Sequence, residues 1–290
     1  MTQNRIEEMD RFVKTEVITP NKRWWHLGWV ELWSYRDLIL LFVKRDFVTQ
    51  YKQTILGPLW YLIQPILTAL MFLLVFGRLA SIPTNGVDPF LFYYTGLTVW
   101  GYFSDCLMKT SNTFNSNAHL FGKVYFPRLA VPVSIVLSGF IRFLINILVL
   151  LVCMACFHYS GQQLLQINST LLIFPIYILI LALLGLGFGI LFSALTTKYR
   201  DLSFLLGFGI QLAMYATPII YPLSFTRGTI HKFVSYNPLA PILENIRFSL
   251  FNCGDFNGIG ILYSFAFSCF VLCVGLIAFN RVEKTFMDTV

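Results

Sequence analysis

Hydrophobic residues in this chain of 290 residues fall into six long stretches that are separated by shorter polar segments. The stretches cover about 59–77, 89–108, 131–157, 171–197, 202–225 and 258–280. An α-helix of about 20 residues spans the hydrocarbon core of a bilayer, and lipid forces the backbone to satisfy its own hydrogen bonds. The pattern therefore predicts an all-α integral membrane protein with six transmembrane helices.

A charged and aromatic segment precedes the first of these helices. Its apolar run 38–43 is too short to cross roughly 30 Å of hydrocarbon. Charged residues flank this run on both sides: Arg36, Asp37, Lys44, Arg45 and Asp46. We therefore expect an amphipathic helix in the membrane interface, with Gly57 and Pro58 forming the turn into the membrane. The predicted organisation is a cytoplasmic arm with an interfacial helix at 1–57 and a transmembrane domain at 58–290.

Composition and charge agree with this class of protein. Hydrophobic residues make up 57% of the chain, charged residues make up 12%, and the mean hydropathy is +0.68, which excludes an ordinary soluble domain. With both termini placed in the cytoplasm, 16 of the 21 Lys and Arg residues lie on the cytoplasmic side, as the positive-inside rule requires. The net charge of +7 follows from this asymmetry and gives no reason to expect nucleic-acid binding.

The cytoplasmic connection 113–132 is longer than a simple turn. It has room for one short helix that a cytoplasmic partner could bind, with Phe121, Tyr125 and Phe126 as apolar anchors. Lys123 and Arg128 would lie at the rim of that contact. A plain turn is the alternative interpretation.

The outer connection 226–257, between the fifth and sixth helices, is too long for a turn and too apolar for a free loop. It carries Asn237 and Pro238, followed by an apolar helical pattern through 242–250. We interpret it as a helical hairpin that re-enters the membrane or lies on its outer surface. Pro218 and Pro222 should bend or break the fifth helix near its outer end.

Charged residues and metal ligands are scarce within the apolar stretches. Arg142 and Asp105 lie inside the third and second stretches, where a charge is costly and should face protein or water. They can pair, although their predicted depths differ by about 10 Å at about 1.5 Å per residue. The six cysteines show no zinc-site spacing, so no metal is expected.

Glycines recur in the fourth and fifth apolar stretches, at Gly185, Gly187 and Gly189 and at Gly207 and Gly209. Small residues let membrane helices approach one another closely. These glycines therefore predict close packing of both helices against their neighbours.

Four segments together resemble a known transporter family. They are YRDLILLFVKRDFVTQYKQTILGPLWYLIQP at 35–65, FGKVYFPRLAVP at 121–132, KYRDL at 198–202 and YNPLAPILENIR at 236–247. By these segments the chain resembles, over nearly its whole length, the permease subunit of polysaccharide ABC exporters, which move O-antigen, capsule or teichoic acid chains.

The resemblance implies a homodimer of permease chains in the bacterial cytoplasmic (inner) membrane, bound to a separate nucleotide-binding ABC ATPase. The sequence contains no G-x-x-x-x-G-K-[ST] motif, so this chain is expected to be neither an enzyme nor a cofactor-binding protein. ATP and Mg²⁺ are expected on the partner subunit. A lipid-linked polysaccharide and membrane lipid are the other expected partners.

The resemblance also implies three groups of functional residues and no catalytic ones. Aromatic planes stack on sugar rings, and the substrate-channel candidates are Trp60, Tyr61, Tyr93, Tyr94, Trp100, Tyr102, Phe103, Arg142, Phe208 and Tyr215. The candidates for contact with a lipid pyrophosphate at the membrane surface are Lys44, Arg45 and Lys52, with Arg142 as the alternative. The ATPase-coupling candidates are Leu120, Phe121, Lys123, Tyr125, Phe126 and Arg128, together with the interfacial helix. Simple packing, lipid contact or membrane anchoring is the alternative for each group.

Two other function classes are weaker. A permease of the same architecture could carry a lipid or a drug, but the many aromatic residues and the four segments argue against it. An integral membrane enzyme, such as a glycosyl or acyl transferase, would need paired carboxylates or a histidine near an acid. The chain has no D-x-D pattern, and only His26 has an acid, Glu31, within five residues.

Overall fold

The computed structural model describes residues 29–52, 54–161, 168–199 and 201–289. Regular structure in these ranges is helical, with no β-strand among the described residues, so the predicted all-α class is confirmed. Most of the predicted cytoplasmic arm, residues 1–28, lies outside the described residues.

Helices follow one another along the described chain and are numbered here in order. They are α1 (Trp29–Ser34), α2 (Arg36–Tyr51), α3 (Trp60–Phe72), α4 (Pro89–Ser111), α5 (Thr113–Phe121), α6 (Ala130–Tyr159), α7 (Phe174–Lys198), α8 (Leu202–Tyr215), α9 (Gly228–Ser235), α10 (Leu239–Phe251) and α11 (Gly258–Thr289). A π-helix, Leu73–Leu79, continues α3, and short 3₁₀ turns lie at Gly57–Leu59, Ser169–Ile173 and Leu223–Phe225. Gly57 has φ +51°, a left-handed conformation that favours glycine, at the turn into α3.

Within the described ranges, four helical stretches are long and apolar enough to cross a membrane: Trp60–Leu79, Ala130–Tyr159, Ser169–Lys198 and Gly258–Val282. The other two predicted spans fall short. The second forms α4, which is long enough but carries polar residues, and the fifth forms α8, whose 14 residues reach only about 21 Å. The count of six transmembrane helices therefore stays a prediction.

Helix α8 ends early because the chain breaks where the proline pattern indicated. It stops at Tyr215, three residues before Pro218, and regular helix resumes only at Leu223–Phe225. Proline lacks a backbone N–H and its ring clashes with the preceding turn, so it bends or breaks a helix. The predicted break near the outer end of the fifth helix is confirmed.

The centre of the bundle is α4, most of whose residues are buried. Helix α7 lies against it at two glycines: a Cβ added at Gly185 would be 2.7 Å from Cys106, and one added at Gly189 would be 2.5 Å from Thr110. Helix α11 packs on the other side of α7, where a Cβ at Gly187 would be 2.9 Å from the backbone of Leu272. The predicted close packing of the fourth apolar stretch is confirmed.

The same prediction is wrong for α8. A Cβ at Gly209 would meet nothing within 4 Å, and one at Gly207 would reach only the end of Met108, at 3.7 Å. Much of α8 is exposed, so its glycines have no close neighbour among the described residues of this chain. Glycine permits close packing but does not create it.

Helix α2 packs against the end of the bundle near α5 through a cluster of buried apolar residues, several of them aromatic. Ile39 and Phe42 are buried there, and Phe42 lies 5.6 Å from Phe126 between ring centroids. Leu40 and Leu41, in contrast, are exposed. Apolar residues therefore occupy more than one face of α2, and its place as an amphipathic helix in the membrane interface stays a prediction. A helix that is covered by protein on one side needs apolar residues there in addition to any that face lipid.

The outer connection contains the two helices α9 and α10, joined through Asn237 and Pro238. Almost every residue of α10 is buried, so this helix is a packed part of the fold. A helical pair at this place was predicted, and re-entry into the membrane stays a prediction.

Candidate functional site

A cleft of about 580 Å³ opens between α3, α4 and α6. Aromatic rings, amides, hydroxyls and an ion cluster share its walls. The residues that line it are Trp60, Tyr61, Gln64, Pro65, Thr68, Leu97, Thr98, Trp100, Gly101, Tyr102, Asp105, Lys109, Gly139, Arg142, Phe143 and Asn146. Such a lining offers both stacking surfaces and hydrogen-bonding groups, as the binding site of a sugar requires.

The charges in this cleft form one cluster. Arg142 donates from Nη1 to Asp105 Oδ2 at 2.6 Å, and Lys109 Nζ lies 3.8 Å from the same carboxylate oxygen. The Arg142 side chain is 15% exposed and that of Asp105 is 47% exposed. The pairing that the sequence left open is therefore present, because the long arginine side chain bridges the difference in depth. Two cations share one carboxylate, so the cluster carries a net positive charge.

Neighbouring groups hold this cluster in place. The guanidinium carbon of Arg142 lies 5.1 Å from the centre of the Tyr61 ring, a cation–π distance. Asn146 donates to the Arg142 carbonyl at 3.0 Å and accepts from the Tyr94 hydroxyl at 3.0 Å. Tyr94 is thus linked to the site through Asn146 without lining the cleft.

A smaller pocket of about 280 Å³ adjoins the cleft and shares Tyr61, Lys109 and Arg142 with it. Its remaining lining includes Asp46 and Thr49 of α2. The two pockets therefore adjoin between α2 and the ion cluster.

The cleft brings together half of the ten predicted channel residues: Trp60, Tyr61, Trp100, Tyr102 and Arg142. The other five lie elsewhere. Tyr93 and Tyr94 are fully buried in the core, Phe103 faces the opposite side of α4, and Phe208 and Tyr215 are exposed on α8. The aromatic residues of α4 alternate between packing and lining because a helix turns them to different faces.

Sequence reasoning missed several residues of this site. Lys109 stands four residues after Asp105 on α4 and so shares its face, a spacing that could have identified it. Gln64 and Thr68 are also four residues apart, in a stretch that is otherwise apolar. Asn146, four residues after Arg142, gives the same signal on α6. In each of α3, α4 and α6, a pair of polar residues four positions apart marks the wall that the helix contributes to the cleft.

An apolar groove of about 420 Å³ lies on the other side of α4, between α7, α8 and α11. Trp100 lines both the groove and the polar cleft. Most of the other lining residues are apolar, such as Leu205, Phe188 and Phe267, and Thr217 and Asn237 lie at its edge with polar side chains. The two cavities are therefore chemically distinct and meet at one indole ring.

The three predicted pyrophosphate contacts lie outside the cleft. Lys44, Arg45 and Lys52 are exposed on and just after α2. Arg45 pairs with the adjacent Asp46 at 2.8 Å and lies 4.7 Å from the centre of the Phe42 ring. These cations form a surface group rather than a pocket. Among the described residues, no three His, Cys, Asp or Glu side chains are grouped to hold a metal ion.

Residues 37–251, most of the chain, match the ABC-2 type transporter family. This chain belongs to that family. The O-antigen export system permease protein RfbA of Klebsiella pneumoniae is 30% identical over 254 residues, covering 87% of this chain and 94% of the relative. RfbA of Myxococcus xanthus is 28% identical over 221 residues, with 75% and 81% coverage. The polysialic acid transport protein KpsM of Escherichia coli is 21% identical over 245 residues, with 84% and 93% coverage.

As a member of the ABC-2 type transporter family with several long apolar helices, the chain is a multi-pass membrane protein. Permeases of this family work with an ABC ATPase subunit. The cytoplasmic segment between α5 and α6 is where such contact was predicted. Tyr125 is 57% exposed there, Lys123 is also exposed, and Leu120 is partly exposed.

Two of the predicted apolar anchors of that segment are turned inward. Phe121 and Phe126 are buried, lie 5.6 Å apart between ring centroids, and pack with Phe42 of α2. The guanidinium of Arg128 lies over the Phe121 ring at 5.6 Å. The two phenylalanines therefore join the segment between α5 and α6 to α2, and Tyr125 is the predicted aromatic anchor that stays exposed.

Proposed function

We propose that this protein is the transmembrane subunit of an ABC transporter that exports a lipid-linked polysaccharide, of the O-antigen, capsule or teichoic acid type. It acts in the bacterial cytoplasmic membrane with both termini inside. It works as a homodimer, and each copy binds a separate nucleotide-binding subunit that hydrolyses ATP with Mg²⁺. This chain supplies the path and the partner supplies the energy.

The cleft between α3, α4 and α6 is the observation that carries the proposal. Its rings can stack on the apolar faces of sugars, and its amides and hydroxyls can exchange hydrogen bonds with sugar hydroxyls. Weak and repeated contacts of this kind suit a polymer that must slide. The similarity to two O-antigen permeases and to a polysialic acid transport protein supports the same cargo class.

The cationic groups suggest how an anionic lipid head group would be received. The surface residues Lys44, Arg45 and Lys52 meet the head group at the membrane surface, where an attached diphosphate arrives. The net positive pair of Arg142 and Lys109 then offers a second contact inside the cleft. The smaller pocket beside α2 connects the two levels.

A second copy of the chain completes the path. Helices α3 and α8 lie on either side of α4 and expose large apolar side chains, among them Leu67, Met71, Phe204 and Phe208. Exposed apolar helices in a membrane protein face lipid or another subunit. The homodimer places the polar cleft next to protein, where its charges are sheltered from lipid.

Reconstitution tests the proposal. The chain is co-purified with a candidate ABC ATPase, placed in vesicles with a lipid-linked polysaccharide, and assayed for ATP-dependent transfer of the polymer. Trp60→Ala should lower transfer by about 2- to 10-fold, the range expected for one lost stacking contact, and Trp60→Phe should retain most of it. Leu59→Ala, at an exposed neighbour that does not line the cleft, is the control. Transfer without the ATPase, or equal losses of transfer and protein abundance, would contradict the proposal.

A permease for a lipid or a drug is the second candidate, and the apolar groove of about 420 Å³ beside α8 favours it. The two candidates differ in what stimulates ATP hydrolysis by the complex. A polysaccharide cargo predicts stimulation by the glycosylated lipid and none by the lipid alone. Stimulation by the bare lipid would favour the second candidate.

A further inference from the structure

The most enclosed charge among the described residues that line no cleft is Arg247 in α10. Its side chain is 2% exposed. A buried guanidinium persists only where hydrogen bonds and an opposite charge compensate for the lost water. Arg247 donates from Nη1 to the carbonyl of Pro218 at 2.6 Å and from Nη2 to that of Ile219 at 2.9 Å. Its guanidinium lies 3.5 Å from the centre of the Phe92 ring.

The carbonyls that Arg247 binds belong to the broken end of α8. Beyond Tyr215 the backbone leaves the helix, so its polar groups need other partners. Asn237 provides two further hydrogen bonds: its Nδ2 donates to the Ala216 carbonyl at 3.2 Å and to the Thr217 hydroxyl at 2.9 Å. Two side chains from the outer connection therefore hold the segment 216–219 in its non-helical shape.

Glu244 closes the arrangement from the other side. One of its oxygens lies 3.3 Å from Arg247 Nη1 and also accepts from the backbone N–H of Leu223 at 3.2 Å. The pair Glu244 and Arg247 thus holds both ends of the segment between α8 and the 3₁₀ turn at Leu223–Phe225.

Helix α4 fits against this pair without spare room. A Cβ added at Gly96 would lie 3.1 Å from Arg247 Nη2 and 3.0 Å from the Ile219 side chain. Because Gly96 has no side chain, the guanidinium can reach the two carbonyls of the broken segment. The guanidinium also lies over the ring of Phe92, four residues before Gly96 on α4. Three elements, α4, the end of α8 and α10, meet at one cation.

We propose that Glu244 and Arg247 form a latch that fixes the outer end of α8 to α4 and α10, and that transport requires this latch to open. Arg247 is then a positioning residue: it acts on cargo only through the segment 216–222. The latch itself follows from the contacts of Arg247. Its requirement in transport rests on the proposed function, so the two are measured separately.

Cysteine labelling tests the latch on the purified permease–ATPase complex. Ile220 is 4% exposed in the latched segment, so a cysteine introduced by Ile220→Cys should react slowly with a maleimide. Adding Arg247→Met should raise its labelling rate by about tenfold or more, because a charge-assisted hydrogen bond stabilises a closed state by at least that factor. Gly96→Ala should act in the same direction, since its methyl group displaces the guanidinium. Arg227→Met, at an exposed arginine of the same connection, should leave the rate unchanged.

The native Cys106, which is 1% exposed in α4, reports general loosening in the same sample and is followed by mass spectrometry. Release of a latch raises labelling at position 220 alone. Equal increases at both cysteines, or an unchanged rate at 220 in folded Arg247→Met protein, would overturn the proposal.

Nucleotide dependence separates positioning from simple stability. In the Ile220→Cys protein the labelling rate should change when ATP is added, whereas Arg247→Met should give a high rate with or without ATP. A rate in the parent protein that never responds to ATP would refute the link to transport. Polymer transfer by the Arg247→Met protein is then assayed in vesicles. If the labelling rate at position 220 no longer responds to ATP but transfer is normal, the latch has no role in the transport cycle, and the proposed cargo is unaffected by that result.

Discussion

Replacing Asp105 by Asn removes the one carboxylate that Arg142 and Lys109 share. The change keeps the size of the side chain and leaves two cations close together, one of them only 15% exposed. Two unit charges about 4 Å apart interact by about 4 kcal/mol at an effective dielectric constant of about 20. Since the Asp105 side chain is 47% exposed, solvent screens much of this interaction energy, and fully exposed pairs contribute about 1 kcal/mol or less. Arg142 is largely buried, so we expect a loss between these two figures, about 2 kcal/mol, in the free energy of unfolding.

Thermal unfolding in detergent measures this loss. At about 2–4 °C for each kcal/mol, Asp105→Asn should lower the unfolding temperature by about 4–8 °C. Asp255→Asn, at an exposed position of the outer loop, should change it little. A double-mutant cycle with Arg142→Met then isolates the pair, because partners in contact give a combined loss smaller than the sum of the single losses. Strictly additive losses would refute the ion pair as a source of stability.

Three further predictions follow from the packing, the cytoplasmic segment and the outer loop. Gly189→Ala places a methyl group 2.5 Å from a threonine of α4 and should lower the unfolding temperature clearly, whereas Gly209→Ala meets nothing within 4 Å and should not; equal effects would contradict the packing argument. Tyr125→Ala should reduce co-purification of the ATPase without loss of stability, while Phe126→Ala should mainly destabilise, and the reverse result would reassign the two rings. Burial raises the pKa of the Cys253 thiol, so its thiolate forms at higher pH than that of an ordinary cysteine, and maleimide labelling should still be rising where a free thiol has reached its plateau.

Local patterns predicted the parts of the fold that depend on the chain's own chemistry. Apolar length gave the helices, and Pro218 gave the break after α8. Gly187 and Gly209 show where local information ends, since the same residue type is packed against a backbone in α7 and meets open space in α8. Close approach depends on a second helix, whose position a single segment does not encode.

The two arginines within the fold show the same limit. The predicted depths of Arg142 and Asp105 left their contact open, and the arginine side chain reaches the carboxylate at 2.6 Å. Arg247 is not among the predicted functional residues, and the structure buries it between three elements. Its available signal was Glu244 three residues earlier within an apolar helix, a spacing that places both charges on one face.

Helices α4 and α8 fall short of the other four predicted spans in hydropathy or in length, and both border the groove and the proposed latch. This coincidence has a physical cause. A helix that faces only lipid gains from continuous apolar residues, whereas one that borders a polar cleft can carry hydroxyls and charges, and a proline shortens the helix that it ends. Asp105 and Lys109 lower the hydropathy of α4 for the first reason, and Pro218 shortens α8 for the second. In a chain of this kind, the predicted spans that fail on length or hydropathy are therefore the first places to look for the transport path.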